Sequence, residues 1–137
     1  MNKQKGACFC GAVKYELNSE ILHVVNCHCD FCRSHSGAAF STYAALPYTA
    51  LEITQGTDKL SRFEIEEGAK HFCSVCGTPI FNLNEKYPGA CMLYFGTLES
   101  ARNIQPKVNI WCESLLPWVG SVTAIKSLDQ AVESKKI

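Results

Sequence analysis

Apolar and polar residues alternate along this chain in short runs, the pattern of half-buried β-strands. Val13, Tyr15 and Leu17 alternate with Lys14 and Glu16, so one set can face a core while the other faces water. Further runs with strand character lie at residues 21–27, 38–46, 51–54, 59–66, 80–83, 90–96 and 108–111. No stretch shows the periodicity of a helix of three turns. The pattern predicts a mainly β protein of short antiparallel strands with few short helices.

Glycine and proline separate these runs. Residues 29–36 are expected to form a turn or a single helical turn that ends at Gly37. Pro47 ends one strand, and Gly56 begins the turn between two others. We predict a single domain over residues 1–137, with its core at about residues 5–125 and a loosely attached C-terminal tail.

The charge balance argues against a polyanionic partner. Thirteen Lys and Arg residues balance thirteen Asp and Glu residues, so no net field attracts nucleic acid or an anionic membrane. The N-terminus lacks the apolar segment of a signal peptide, and no stretch reaches the roughly 18 apolar residues of a transmembrane helix. The sequence therefore predicts a cytoplasmic protein that binds neither nucleic acid nor membrane.

The number and spacing of the cysteines indicate a specific chemistry. The chain holds nine cysteines, an odd number, and a cytoplasmic location disfavours a disulfide framework. Seven of them form three groups: Cys8-x-Cys10, Cys27-x-Cys29-x-x-Cys32 and Cys73-x-x-Cys76. Such dense reduced thiols indicate metal ligation.

The third cysteine group, followed by Gly77, has the form of a zinc knuckle, and a structural zinc ion needs four ligands. Its partner must be one of the other two groups, and spacing alone does not choose between them. Either way, one four-cysteine site forms and three thiols are left over. Three protein ligands with an open position are typical of a catalytic zinc, but His28, His35, His71 or a distal cysteine could close the site.

Three thiolates would leave Zn²⁺ electron-rich and a poor Lewis acid for carbonyl groups. Such an ion is better suited to holding a substrate thiol as an activated thiolate. Arg33 directly follows the middle group and could offset thiolate charge or hold a substrate carboxylate, although a solvated surface arginine fits equally well.

The other cysteines and the aromatic residues are expected to serve packing. Cys91 and Cys112 lie in apolar contexts and are predicted to be buried, inert thiols. His23 lies in an apolar run and is expected to be a structural histidine with satisfied hydrogen bonds. Four aromatic side chains are predicted to belong to the core, with a ligand pocket as the alternative: Tyr94, Phe95, Trp111 and Trp118.

The motifs together resemble the glutathione-dependent formaldehyde-activating enzyme family, a zinc-binding domain also found in centromere protein V. The resemblance runs across nearly the whole chain, through Gly6-x-Cys8-x-Cys10-Gly11-x-Val13-x-Tyr15, Cys27-His28-Cys29-x-x-Cys32-Arg33-x-x-Ser36-Gly37, Phe72-Cys73-x-x-Cys76-Gly77-Thr78-Pro79-Ile80-Phe81, Gly96-Thr97-Leu98 and the Trp111 and Trp118 region.

The resemblance implies an Mss4-like (β-tent) fold and two zinc sites. In the family, the residues that match Cys8, Cys10, Cys73 and Cys76 hold a structural zinc, and those that match Cys27, Cys29 and Cys32 hold a more labile, catalytic zinc, which could be partly occupied. The implied activity is that of a carbon–sulfur lyase of the S-(hydroxymethyl)glutathione synthase type, with a small thiol and an aldehyde as partners.

Two departures separate this chain from that pattern. It is shorter than the founding enzymes, and it has Asn109-Ile110-Trp111 where many relatives read His-Ile-Trp. The rival hypothesis is a zinc-stabilised binding module without turnover. Neither hypothesis predicts an oligomeric state.

Overall fold

Two β-sheets make up most of the protein. The computed structural model describes residues 3–131 and confirms the predicted mainly β class. Its strands are β1 (Lys5–Ala7), β2 (Lys14–Leu17), β3 (His23–Cys27), β4 (Ser41–Pro47), β5 (Leu51–Gln55), β6 (Leu60–Ile65), β7 (Gly68–Cys73), β8 (Pro79–Asn84), β9 (Ala90–Tyr94) and β10 (Val108–Ile110).

The smaller sheet has the order β1-β2-β5 and is antiparallel. Its central strand carries the alternation seen in the sequence, because Tyr15 and Leu17 are buried while Lys14 is exposed. Val13, just before the strand, is fully buried. These three residues anchor the small sheet to the main core.

The larger sheet has the order β10-β3-β4-β9-β8-β7-β6. Every neighbouring pair is antiparallel except β10 and β3, which run parallel. Adjacent residues of a strand point to opposite faces, and the two faces of this sheet pack differently. Ala44 and Leu93 join the main core with the small sheet, whereas Tyr43 and Tyr94 belong to a second cluster with Cys27 and Cys32.

The helix α1 (Asp30–Ser36) follows β3 directly and is longer than the single turn predicted from the sequence. The Cys29 side chain accepts a hydrogen bond from the Cys32 N–H and so caps the helix start. Gly37, at φ 73°, ends the helix in the left-handed conformation that glycine adopts without strain. α1 therefore lies beside the second cluster, at the end of β3.

Three expectations about side chains are wrong, because the C-terminal segment lies on the surface instead of covering the sheet. Trp111 and Trp118 are about half exposed, at 47% and 52%, and Cys112 is exposed as well. His23, expected to be a structural histidine, is exposed at the start of β3. The predicted packing roles of Tyr94 and Cys91 are confirmed, since both are buried, and Phe95 packs partly buried against the main core.

Two strands differ from the sequence pattern. The sequence pattern does not predict a strand at residues 69–72, because Lys70 and His71 obscure the alternation. These residues nevertheless belong to β7. Residues 108–111 were expected to form a core strand, but β10 is a three-residue edge strand with Val108 exposed. After it, short 3₁₀ turns at Cys112–Ser114 and Val119–Ala124 lead to residues 126–131, which lack regular structure. The last six residues of the predicted tail lie outside the described residues. Within residues 3–131, every helix is too short to span a bilayer.

We expect Gly56→Ala to destabilise the fold by about 2–4 kcal/mol, because a side chain there meets both backbone strain and a clash. Gly56 has φ +80°, and a Cβ atom would lie 2.0 Å from the Ala12 carbonyl oxygen. Gly89 has nearly the same backbone, φ +79°, with nothing within 4 Å of its Cβ position. Chemical denaturation of Gly56→Ala and Gly89→Ala separates the two causes, and equal losses would contradict the clash.

Candidate metal centres and substrate cavity

The four-cysteine cluster joins the two sheets. The sulfur atoms of Cys8, Cys10, Cys73 and Cys76 all lie within 4.8 Å of one another. The Cys10 Sγ lies 3.6 Å from the Cys8 Sγ and 3.8 Å from the Cys73 Sγ. Cys8 and Cys73 are buried, whereas Cys10 and Cys76 are exposed. These are the four residues that the family resemblance groups, and together they could hold a metal ion.

Two tight loops present these thiols. In the first, the Cys8 N–H donates to the Val13 carbonyl and the Val13 N–H donates to the Cys8 Sγ at 3.3 Å. In the second, the Cys73 N–H donates to the Thr78 carbonyl, and Gly77 occupies φ 80°. A hydrogen bond from the Thr78 hydroxyl lowers the pKa of Cys76 to about 5. The loop conformations therefore direct hydrogen-bond donors at the sulfurs of Cys8 and Cys76 and lower the pKa of both thiols, whereas the pKa of Cys10 is raised to about 12 by desolvation and by its neighbouring thiols.

The three-cysteine cluster is local in sequence. Cys27 ends β3, Cys29 caps α1 and Cys32 lies in the first turn of α1. The Cys27 Sγ lies 3.4 Å from both the Cys29 Sγ and the Cys32 Sγ. A hydrogen bond from Cys32 lowers the pKa of Cys27 to about 6, and the same pairing raises the pKa of Cys32. This cluster could hold a second metal ion.

The histidines that might have completed this cluster have other contacts. The buried His28 pairs its Nε2 with the Asn109 Oδ1 at 3.1 Å. His35 packs between Phe31 and Phe63, and His71 stacks on Phe81. Within residues 3–131, the group of mutually close ligand atoms around Cys27 contains the three sulfurs and no further His, Cys, Asp or Glu atom.

Asn109, one of the two departures from the family pattern, lies away from the three thiols. Its side-chain oxygen accepts hydrogen bonds from the Asn26 amide and, at the same distance of 3.1 Å, pairs with His28. Asn26 and His28 flank Cys27 in the strand, so their side chains leave the opposite face of β3. The substitution therefore changes the back of the sheet and leaves the face of Cys27 unaltered.

A hydrogen-bonded group of polar side chains adjoins the three-cysteine cluster. The Tyr43 hydroxyl lies 3.2 Å from the Cys32 Sγ. The Asn82 amide donates to the hydroxyl oxygens of Tyr43 and Tyr94, at 3.3 and 3.1 Å, while its own buried Oδ1 has no hydrogen-bond partner among the described residues. Burial raises the pKa of both tyrosines, so they remain protonated donors at neutral pH.

A cavity of about 340 Å³ opens beside the three thiols, and its wall includes Cys27, Cys29 and Cys32 together with Tyr43 and Asn82. None of the four cysteines of the other cluster lines it. Its volume lies at the small end of the roughly 300–1,000 Å³ typical of ligand sites. The two clusters thus differ in surroundings: the four-cysteine cluster lies between two loops, and the three-cysteine cluster faces a space in which a small molecule fits.

Charged and aromatic residues form the mouth of this cavity. Lys86 lies 3.3 Å from the Glu67 carboxylate and 5.8 Å from the centre of the Trp111 ring. Trp111 has φ 58°, a left-handed conformation that is uncommon for residues other than glycine. Its exposed ring, expected in the core, instead belongs to the cavity wall, which was the alternative that the sequence left open.

Arg33 is directed away from the cavity. Its guanidinium donates to the carbonyl oxygens of His28 and Ser114, at 3.2 and 2.9 Å, and pairs with Asp30. Arg33 therefore connects α1 to the 3₁₀ turn after Trp111. A contact between Arg33 and a substrate carboxylate remains a prediction from the sequence.

Three polar residues of the cavity, Tyr43, Asn82 and Lys86, were missed at the sequence level, whereas Trp111 was named there as a possible pocket residue. Tyr43 lies on β4, while Asn82 lies on β8 and Lys86 just after it, so no single local motif connects them. One signal was present: Asn82 interrupts the apolar strand β8 at a position between Phe81 and Leu83. A polar residue inside a buried strand often marks a functional face.

Fold and site together define a mainly β protein with two cysteine centres that could hold metal, one of them on a ligand-sized cavity. The family model described as glutathione-dependent formaldehyde-activating enzyme matches residues 3–114. The chain belongs to this family.

Curated relatives carry the same description. A Halomonas elongata protein, provisionally named as a glutathione-dependent formaldehyde-activating enzyme, is 24% identical over 123 residues, which cover 84% of this chain and 78% of that protein. A similarly named protein of Talaromyces marneffei is 31% identical over 85 residues, covering 59% of this chain and 46% of that protein. A similarly named protein of Emericella nidulans is 30% identical over 77 residues, covering 54% of this chain and 39% of that protein. The chain thus matches less than half the length of these fungal relatives.

A solved structure supports the fold. The crystal structure of a Rhodobacter sphaeroides protein superposes with a TM-score of 0.62 and covers 77% of this chain and 97% of that protein, at 24% sequence identity. At this level of identity the likeness concerns the arrangement of strands alone.

Proposed function

We propose that this protein is a zinc-dependent enzyme of the carbon–sulfur lyase type that adds a small thiol to an aldehyde, or reverses that addition. Family membership points to glutathione and formaldehyde as the reference substrates. The observation that carries the proposal is the position of Cys27, Cys29 and Cys32 on the wall of the cavity. A purely structural metal has no need of a ligand-sized space beside it.

Zinc fits both clusters by the spacing of their sulfurs. Tetrahedral coordination with Zn–S bonds of about 2.3 Å requires sulfurs about 3.8 Å apart. The shortest sulfur separations are 3.4 to 3.8 Å and all others lie within 4.8 Å, which is close to this requirement. We assign Cys8, Cys10, Cys73 and Cys76 to a structural zinc, and Cys27, Cys29 and Cys32 to a catalytic one. When bound at the three-cysteine cluster, zinc would stabilise a substrate thiol in its thiolate form.

The side chains around the cluster would then handle the aldehyde oxygen. In the forward reaction a sulfur–carbon bond forms, the carbonyl π bond opens, and the thiol proton ends on oxygen. Negative charge develops on that oxygen, and hydrogen-bond donors near it lower the barrier. The Tyr43 hydroxyl, held by the Asn82 amide, is a protonated donor on the cavity wall. We assign it to orient the carbonyl and stabilise this charge.

The proposal is tested by measuring exchange between free formaldehyde and its thiol adduct by magnetisation-transfer NMR. We expect the zinc-loaded protein to accelerate exchange above the spontaneous rate, and a chelator that removes the labile zinc to abolish the acceleration. Tyr43→Phe should retain both metal ions and lower kcat/KM by about 10- to 100-fold, the usual range for groups next to a metal ligand. A protein that binds two zinc ions tightly and accelerates no thiol–aldehyde pair would instead be the binding module.

A further inference from the structure

We infer that the cavity selects an uncharged thiol–aldehyde adduct with an alkyl or aryl substituent over the glutathione adduct. The inference rests on the proposed function, since it names the substrate class of that same site. It follows from the apolar surface and the charges of the cavity wall.

The wall beyond the thiols is mostly apolar. Six apolar side chains contribute to it: Phe31, Ile65, Leu83, Met92, Ile110 and Trp111. Each CH₂ group that a ligand buries against such a surface strengthens its binding through the hydrophobic effect. Formaldehyde, with a single carbon and no side chain, would use little of this surface. An alkyl or aryl group on the thiol or on the aldehyde would fill it.

The charges of the wall oppose glutathione. Glutathione carries two carboxylates and one ammonium group, and its thiolate adds another negative charge. The cavity presents two carboxylates of its own, Glu66 and Glu67, from the turn between β6 and β7. Its one lining cation within the described residues is Lys86, which is already paired with Glu67. Apart from its sulfur, glutathione has more carboxylates than ammonium groups, and this excess negative charge would meet a wall of like net charge.

Nearby cations outside the wall are also engaged. The Arg33 guanidinium is held by two backbone carbonyls and Asp30. The Lys70 ammonium donates to the His35 carbonyl at 3.2 Å, and burial lowers its pKa. Freeing either cation for a ligand carboxylate would break hydrogen bonds within the protein. Neither Arg33 nor Lys70 is therefore free to form the charge-assisted hydrogen bonds that usually hold a peptide carboxylate.

The test compares two thiols with the zinc-loaded protein, each paired with formaldehyde: phenylmethanethiol and glutathione. Exchange of each adduct is followed by NMR, and spontaneous exchange is subtracted. We expect kcat/KM to be at least about tenfold higher for phenylmethanethiol. Acceleration that is greater with glutathione overturns the inference and leaves the proposed function standing. Acceleration of neither pair overturns both.

A charge variant separates electrostatics from shape. The double variant Glu66→Gln/Glu67→Gln removes two negative charges from the wall and releases Lys86. It should narrow the preference for phenylmethanethiol by raising kcat/KM for glutathione several-fold. The matched control is Glu64→Gln, because Glu64 lies on β6 outside the wall and pairs with Arg62. Equal effects of both variants on the preference would contradict the role of the wall carboxylates.

Discussion

Replacing Cys76 with serine is expected to leave much of the protein unfolded. Cys76 is exposed, so the substitution removes almost no packing, and its effect isolates the metal site. The two loops that meet at this site belong to different sheets, and within the described residues 3–131 the cluster unites thiols 63 residues apart, Cys10 and Cys73. The sheets would lose the link that holds these loops together.

The magnitude follows from the coupling of metal binding to folding. Structural zinc contributes an apparent binding free energy of about 10–16 kcal/mol in zinc-finger peptides. If the loss of one of the four ligands removes about a third of this binding free energy, the protein loses about 4 kcal/mol of stability. Total unfolding free energies are about 5–15 kcal/mol, so the loss approaches the whole stability of a marginal domain.

Far-UV circular dichroism, thermal unfolding and zinc content measured together check this expectation. Cys112→Ser is the matched control, because Cys112 is also exposed and belongs to neither cluster. It should retain two zinc ions and the melting temperature of the unaltered protein. A Cys76→Ser protein that keeps both would show that the four-cysteine cluster is not a structural metal site.

The second large effect is expected from Cys29→Ser, which should abolish activity and leave the fold intact. Cys29 lies in one local segment, so no distant parts of the chain separate when its metal is lost. Serine also preserves the start of α1, because its hydroxyl can accept the bond that Cys32 N–H now donates to sulfur at 3.3 Å. Removal of groups that merely support a ligand lowers activity by about 10- to 100-fold. Removal of a ligand itself should therefore lower kcat/KM by at least about 100-fold.

The decisive readouts for Cys29→Ser are zinc stoichiometry and the exchange rate of the adduct. We expect one zinc ion instead of two, an unchanged circular dichroism spectrum and exchange at the spontaneous rate. Unfolding like that of Cys76→Ser would contradict the division into a structural and a catalytic centre. Activity within a few-fold of the unaltered protein would show that chemistry takes place elsewhere.

Strands could be predicted where one face of the strand is buried and the other is exposed to solvent. Val13, Tyr15 and Leu17 show this alternation, and the structure buries all three. The pattern fails at β7, because polar side chains of this strand have partners within the protein on both faces of the sheet. Lys70 reaches towards α1, and His71 stacks on Phe81. Polar residues that have partners on both faces conceal the strand from any rule based on alternation.

The cysteine groups could be recognised because their short, repeated spacings are those typical of metal ligands. The cavity could not, because its residues meet only after distant strands pair. Tyr43 lies opposite Tyr94 in the β4–β9 register, and Asn82 lies opposite Met92 in the β8–β9 register. Trp111 shows that residue type alone does not predict burial. Tryptophan is usually buried, yet here Trp111 has a left-handed backbone and lies exposed at the mouth of a cavity.

The two cysteine clusters enclose very different lengths of chain, and this difference affects the order in which the proposed metal sites can form. Cys27, Cys29 and Cys32 are within six residues of one another, so a newly made chain can chelate an ion there soon after this segment emerges. The other site needs Cys8 and Cys73 to meet, which must await synthesis of β7 and closure of a long loop. If both clusters bind metal as proposed, we expect the three-cysteine site to be metallated first during biosynthesis and the four-cysteine site last.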